Sequence, residues 1–243
     1  MNRYLVEGSI AVKACLEGKN RNVFEVVIAN DKNDKNTKYI INLAKKKNVL
    51  ISFKTKDEIL EVVTGKTSGG VIAYVGDTIY SDNIDDVTGR MICYLEGIED
   101  PYNYSSSLRT LYAAGFKTIL VQERNWFSAV STIVKSSAGA SEFLNIVKIT
   151  DSFIEELKKV GYQIVIAART NDATSVFSTS FEEKVCLIVG GEKRGISSLI
   201  AKQADKVVYI PYADGFRNSL SAADSTAILS FTIAKKLNIL KEE

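Results

Sequence analysis

Apolar residues recur along this chain with two periods. Short apolar or alternating runs are separated by stretches in which apolar positions repeat every three to four residues. Within residues 1–76, segment 22–29 (NVFEVVIA) reads as a strand. Segment 36–47 places Tyr39, Ile40, Leu43 and Ala44 on one face of an amphipathic helix. A second strand follows at 49–53, then a short helix at 57–63 with Thr55 as its N-cap, then a third strand at 69–75. Residues 76–90 (GDTIYSDNIDDVTGR) are polar, acidic and aperiodic, and read as a linker. From Met91 the alternation restarts. Strands are predicted at 91–95, 118–121, 146–149, 163–167, 185–189 and 206–210, and helices at 105–114, 129–136, 152–160, 196–204 and 222–237. Strands alternating with helices predict right-handed βαβ units and a mostly parallel sheet. The expected fold class is α/β, in two domains, 1–76 and 91–243, joined by a linker at 77–90.

Composition narrows the chemistry. No apolar run approaches the roughly 18 residues that span a bilayer. The first twenty residues also lack the apolar core and cleavage site of a signal peptide. A cytoplasmic protein with no membrane partner is expected. Cys15, Cys93 and Cys186 are far apart with no CxxC pair, which reads as reduced core thiols. There is no histidine. That removes the commonest metal ligand and the commonest general base, so neither a metal site nor a His-based triad is expected. Net charge is +2, yet residues 1–76 carry 13 Lys and Arg against 8 Asp and Glu, while the remainder carries 18 against 21. Two readings of this basic part stand side by side: an anionic partner such as nucleic acid, or a solvated lysine-rich surface.

Three segments stand out, each just past a predicted strand, where ligands bind in open parallel sheets. Segment 96–109 (EGIEDPYNYSSSLR) turns at Asp100-Pro101 and leads to a helix expected to start near the three serines, with Arg109 about one turn in. Such a helix start offers N–H groups and hydroxyls to an anion, and an arginine can clamp phosphate with two hydrogen bonds. From this segment alone a capped helix carrying a surface, salt-bridging arginine is the favoured reading. Segment 190–197 (GGEKRGIS) has the glycine spacing of a phosphate-binding P-loop, but Ile196 stands where the lysine belongs. The dinucleotide G-x-G-x-x-G spacing fails as well. What remains is a tight turn that lets a ligand approach the backbone. Segment 210–225 (IPYADGFRNSLSAADS) opens the last helix, with Ser219 or Ser221 as its N-cap.

Taken together these segments resemble the SpoU, or TrmH-like, family of RNA ribose methyltransferases in the SPOUT superfamily. Its first motif, near DPxNxGxxxR, is similar to Asp100 to Arg109 with Asn103 inside it. The second, GxExxG followed by Ile-Pro, is similar to Gly190, Gly191, Glu192 and Gly195 and then Ile210-Pro211. The third, SLN and small residues, is similar to Ser219-Leu220-Ser221-Ala222-Ala223, and Ser137-Ala138-Gly139-Ala140 matches a signature between the first two. Residues 4–16 and 65–75 resemble the ends of the family's ribosomal-protein-like substrate-binding domain.

The resemblance implies a C-terminal SPOUT domain whose last third forms a deep trefoil knot, a small N-terminal α/β RNA-binding domain, and a homodimer joined through the SPOUT domain. It implies transfer of a methyl group from S-adenosylmethionine to a ribose 2′-hydroxyl of structured RNA, with ribosomal RNA favoured by the appended basic domain. Ala167, Ala168, Gly190, Gly191, Ile210 and Leu220 would hold the cofactor. Arg109, Asn103, Glu192, Ser219 and Ser221 would form the catalytic set. The family assigns proton removal to Arg109; clamping a phosphate and stabilising alkoxide charge is the alternative.

The sequence departs from the family pattern at Ser221 (asparagine in the family), at Ser105 (glycine) and at Ser68-Gly69-Gly70 (His-Gln-Gly). These departures support a second reading, an RNA-binding or ribosome-assembly factor that kept the fold without the chemistry. A metabolic enzyme with a nucleotide cofactor is a third, opposed by the failed glycine fingerprints.

Overall fold

The computed structural model describes residues 2–63, 68–122, 126–150, 152–191, 193–215 and 218–241. In chain order the elements are β1 (Tyr4–Glu7), α1 (Ser9–Glu17), β2 (Val23–Ala29), α2 (Lys35–Lys46), β3 (Leu50–Lys54), α3 (Lys56–Val62) and β4 (Val71–Val75). Then come β5 (Met91–Glu96), α4 (Pro101–Ala113), β6 (Thr118–Val121), α5 (Val130–Ser136), β7 (Asn145–Lys148) and α6 (Phe153–Lys159). The chain continues with β8 (Gln163–Ala167), β9 (Thr174–Ser175), β10 (Val185–Gly190), α7 (Ser198–Ala201), β11 (Lys206–Tyr209) and α8 (Ala222–Lys236). These elements form two compact units. One comprises residues 1–79 with 125–143, the other 80–124 with 144–243.

In the first unit the strand order is β1-β4-β2-β3, with only the β2–β3 pair parallel. Alternation in β2 splits its side chains between two cores. Val26 and Ile28 join Val12, Leu16, Ile40 and Ala44 on one face, while Val27 and Ala29 join Ile59 and Ile72 on the other. Thr55 caps α3 as the sequence predicts: its Oγ1 accepts the Glu58 N–H at 3.2 Å, and Glu58 Oε2 accepts the Thr55 N–H at 2.7 Å. Helix α1 escaped the periodicity reading. Ile10, Ala11, Val12, Ala14, Cys15 and Leu16 make it apolar nearly all round, and Gly8 before it supplies no capping side chain.

Residues 125–143 lie inside the span expected for the C-terminal domain, yet they fold with the first unit. Val130 and Val134 of α5 fill the same core as Val12, Leu16 and Val71. Gly139 follows with φ +83, and a Cβ there would overlap the Cβ of Ala14. Beyond it, Glu142 Oε2 accepts the Arg21 Nε–H at 2.9 Å, with both side chains 2 % exposed or less. The Ser137 to Ala140 signature is thus the turn that docks this segment on α1.

The second unit holds a seven-stranded sheet in the order β7-β6-β5-β10-β8-β11-β9, parallel throughout. Its central strands are buried on both faces, which explains why they read as continuous apolar runs. Ile92, Tyr94, Ile164, Ile166, Cys186 and Ile188 face a core completed by Phe153, Ile154 and Leu157 of α6. Helix α4 packs along α8, where Ser107 Oγ lies 3.5 Å from Thr226 Oγ1.

Two local expectations are corrected. Helix α4 starts at Pro101 and not near the serines. Asp100 is its N-cap, accepting the Tyr102 and Asn103 N–H groups at 3.2 and 3.1 Å, and proline fits the first helical position because it has no N–H to satisfy. The serines therefore lie inside the helix and offer no anion site at its start. Helix α7 is a single turn, shorter than the predicted 196–204.

Candidate active site

Four adjacent strands, β5, β10, β8 and β11, run the same way and end at one edge of the sheet. Glu96 stands opposite Gly190, and Ala167 stands opposite Val208. The three segments singled out from sequence, together with 167–170, leave the sheet at this edge.

The turn after β10 is stitched to the end of β5. Gly191 N–H donates to the Glu96 carbonyl at 2.6 Å, and Ser197 N–H donates to Glu96 Oε2 at 3.1 Å. Lys193 Nζ pairs with Glu99 Oε2 at 2.6 Å across the same gap. A Cβ on Gly190 would overlap the backbone of Gly195, and one on Gly191 would overlap the carbonyl of Gly97. Both glycines are demanded by backbone packing alone. Gly195 has φ +60, which closes the turn without the cost a side chain would meet.

The loop from β11 to α8 is organised by its own side chains. Ser221 is the N-cap of α8: its Oγ accepts the Asp224 N–H at 3.0 Å and donates to Asp224 Oδ2 at 2.8 Å. Tyr212 reaches back so that its hydroxyl accepts the Leu220 N–H at 3.2 Å. The guanidinium of Arg169, from the loop after β8, lies 4.4 Å from the Tyr212 ring centroid. The sequence reading missed Tyr212, and took in Arg169 only within 167–170, expected to form another wall of the cofactor site. The only available signal was an aromatic residue directly after Ile210-Pro211.

Arg109 is exposed on α4, past its second turn rather than its first. Asn103 sits half-buried in the first turn of α4, on the Asp100 cap, and Ser219 is exposed just before α8. Since α4 and α8 pack together, these residues belong to neighbouring elements at one sheet edge. Ala167, Ala168 and Gly190 are half-buried at strand ends, Gly191 and Ile210 are buried, and Leu220 is half-buried. Glu192 lies outside the described residues. Ser105 is fully buried, and its hydroxyl donates to the Pro101 carbonyl at 2.6 Å; it faces its own helix and offers nothing to a ligand.

Other chemistry is poorly served. Burial pushes the thiols of Cys15, Cys93 and Cys186 well above the usual range, so none is a thiolate nucleophile. No cluster of potential metal ligands occurs among the described residues. A cavity of about 490 Å³ lies elsewhere in the second unit, beside β9 and the start of β11, and takes in none of the predicted site residues.

Comparison with known proteins finds matches across both units. Residues 90–231 match the SpoU rRNA Methylase family, and residues 5–80 match the family described as RNA 2'-O ribose methyltransferase substrate binding. A protein of Staphylococcus epidermidis named for the TrmH family of tRNA/rRNA methyltransferases is 26% identical over 214 residues, spanning 84% of each chain. The fold matches an AdoMet-bound rRNA methyltransferase of Sinorhizobium meliloti with a TM-score of 0.81 at 21% identity, covering 98% of this chain and 88% of that one. It also matches the SpoU methyltransferase AviRb of Streptomyces viridochromogenes with a TM-score of 0.78 at 20% identity, covering 98% and 90%.

Proposed function

The chain belongs to the SpoU rRNA Methylase family, and from that premise we propose that it methylates a ribose 2′-hydroxyl of structured RNA, ribosomal RNA being the substrate, with S-adenosylmethionine as donor. The observation that carries this reading is the emergence of the Asn103/Arg109, Gly190/Gly191 and Ile210/Ser219 segments from adjacent ends of one parallel sheet. The basic surplus of residues 1–76 supports a grip on RNA phosphates by the first unit.

The residues present fit the cofactor. The strand ends offer small side chains at Ala167, Ala168, Gly190 and Gly191, and a backbone donor at Leu220 that in this structure serves a side-chain hydroxyl. Such neutral groups suit an adenosine edge. Bound there, S-adenosylmethionine supplies a methyl group already activated by its sulfonium. The protein has to orient the ribose hydroxyl in line and ease loss of its proton. A guanidinium keeps its charge in proteins. Arg109, exposed on α4, therefore acts by clamping the phosphate beside the target ribose and stabilising developing alkoxide charge. Asn103 and Ser219 position that phosphate, with Glu192 assigned to the same set by the family motif. Ser221 contributes through the cap that starts α8.

Two structural proposals accompany this reading. Tyr102 and Tyr112 on α4 and Phe231 on α8, two helices that pack together, leave apolar surface exposed, which supports a homodimer joined through these helices, each site completed by the partner. The placement of β10 between β5 and β8, with β11 beyond β8, supports threading of the last third as a trefoil knot.

Arg109→Ala tests the assignment. It is expected to bind S-adenosylmethionine like the wild type by calorimetry and to lose transfer of labelled methyl to RNA. Undiminished turnover in that variant rejects the role of Arg109. A wild-type protein with no affinity for S-adenosylmethionine supports the assembly-factor reading instead.

A further inference from the structure

Among the described residues of the loop between β11 and α8, Tyr212 and Leu220 are joined by a hydrogen bond. The Tyr212 hydroxyl accepts the Leu220 N–H at 3.2 Å, and the Tyr212 ring lies under the Arg169 guanidinium at 4.4 Å. The contact joins the segment after β8, the segment after β11 and the residue preceding the cap of α8. Neither Tyr212 nor Arg169 belongs to a motif that carries the family assignment. The Tyr212 hydroxyl, however, reaches Leu220, a residue proposed above to hold the cofactor.

A backbone N–H is a single donor whose strength depends on alignment with one acceptor. It cannot serve a phenol and the ring nitrogen of an adenine at full strength together. Resting on the function proposed above, we propose that Tyr212 is a built-in competitor for the cofactor. Its hydroxyl fills the Leu220 donor in the free protein, and Arg169 holds the ring in that pose. Binding requires the hydroxyl to give up that donor, so only a ligand that replaces the bond takes its place.

The opposite arrangement, in which the contact preorganises an open site, predicts the opposite sign when the contact is cut. Isothermal titration of the full chain with S-adenosylmethionine and separately with S-adenosylhomocysteine therefore decides. Tyr212→Phe keeps the ring and removes the acceptor, and is expected to bind both ligands about 2- to 10-fold tighter, the net worth of one hydrogen bond. Arg169→Ala removes the cation over the Tyr212 ring and is expected to tighten both by about 2- to 5-fold, the worth of an exposed cation–π contact. Equal gains are required because the two ligands share the adenine. A gain confined to S-adenosylmethionine traces to relief of charge near the sulfonium and overturns the inference. A wild type that binds, with variants that bind equally or more weakly, overturns it alone and leaves the proposed function standing. A wild type that binds neither ligand overturns both. Thermal unfolding of each variant without ligand verifies folding, and Arg169→Ala carries the test if Tyr212→Phe does not fold.

Discussion

Glu142→Gln is expected to be the most damaging near-isosteric change in the first unit. Arg21 and Glu142 are 2% and 0% exposed at their side chains. Glu142 Oε2 accepts the Arg21 Nε–H at 2.9 Å, and Oε1 accepts the Ser141 hydroxyl at 2.9 Å. The guanidinium also donates to the Gly76 carbonyl at 3.3 Å and to Thr78 Oγ1 at 3.1 Å. Neutralising the carboxylate removes the buried charge that faces the Arg21 guanidinium. Breaking one side of such a pair costs about 3–5 kcal/mol, against a total stability of about 5–15 kcal/mol. In a chain of this length that corresponds to a fall in Tm of about 6–20 °C. Removing both charges is different, because a well-packed apolar pair avoids the desolvation penalty. Arg21→Met with Glu142→Leu is expected within about 1 kcal/mol of the wild type. Urea unfolding followed by circular dichroism measures all three proteins. A Glu142→Gln loss below about 1 kcal/mol, or a double variant as unstable as the single one, would refute the reasoning.

Three further outcomes follow from named contacts. Among the described residues Tyr94 has the one buried side-chain polar atom without a partner, and burial pushes its phenol far above the usual range. Tyr94→Phe is expected to be neutral or to stabilise by about 1–3 kcal/mol in urea unfolding, and a clear loss would reveal a hidden partner. Gly191→Ala forces a Cβ into the Gly97 carbonyl and is expected to cost about 1–3 kcal/mol, while Gly195→Ala has open space and strains only φ, at about 1–2 kcal/mol; a Gly191→Ala protein as stable as the wild type in urea unfolding would place the turn differently. Lys32 and then the Thr37 N–H and hydroxyl hold the Asp34 carboxyl far below its ordinary range. Its contribution is present above the unfolded-state value near about 4 and disappears as pH falls toward the folded-state value. Asp34→Asn keeps a capping oxygen, so its Tm is expected to fall less than that of the wild type between pH 5 and pH 2, and parallel acid limbs would show that Asp34 plays no part.

The strands of the parallel sheet were legible because burial on both faces leaves an unbroken apolar run, as in Val185–Gly190 and Thr118–Val121. Thr55 was legible because a capping box is local chemistry. Helix α1 was not, because an all-round apolar helix has no period to detect. The start of α4 was misplaced because Asp-Pro is both a turn signal and the first step of a helix, and only the chain beyond it chooses.

The sequence by itself determined the element types, the α/β class and the motif segments that end at strand tips, since periodicity, capping and turn chemistry act within a few residues. Tertiary structure alone decided that residues 125–143 complete the first unit, that Arg21 finds Glu142, and that Arg169 stacks on Tyr212 while the Tyr212 hydroxyl reaches Leu220. Those pairings join residues far apart along the chain. Each is selected by the summed burial and charge compensation of the whole fold, which no local window of residues contains.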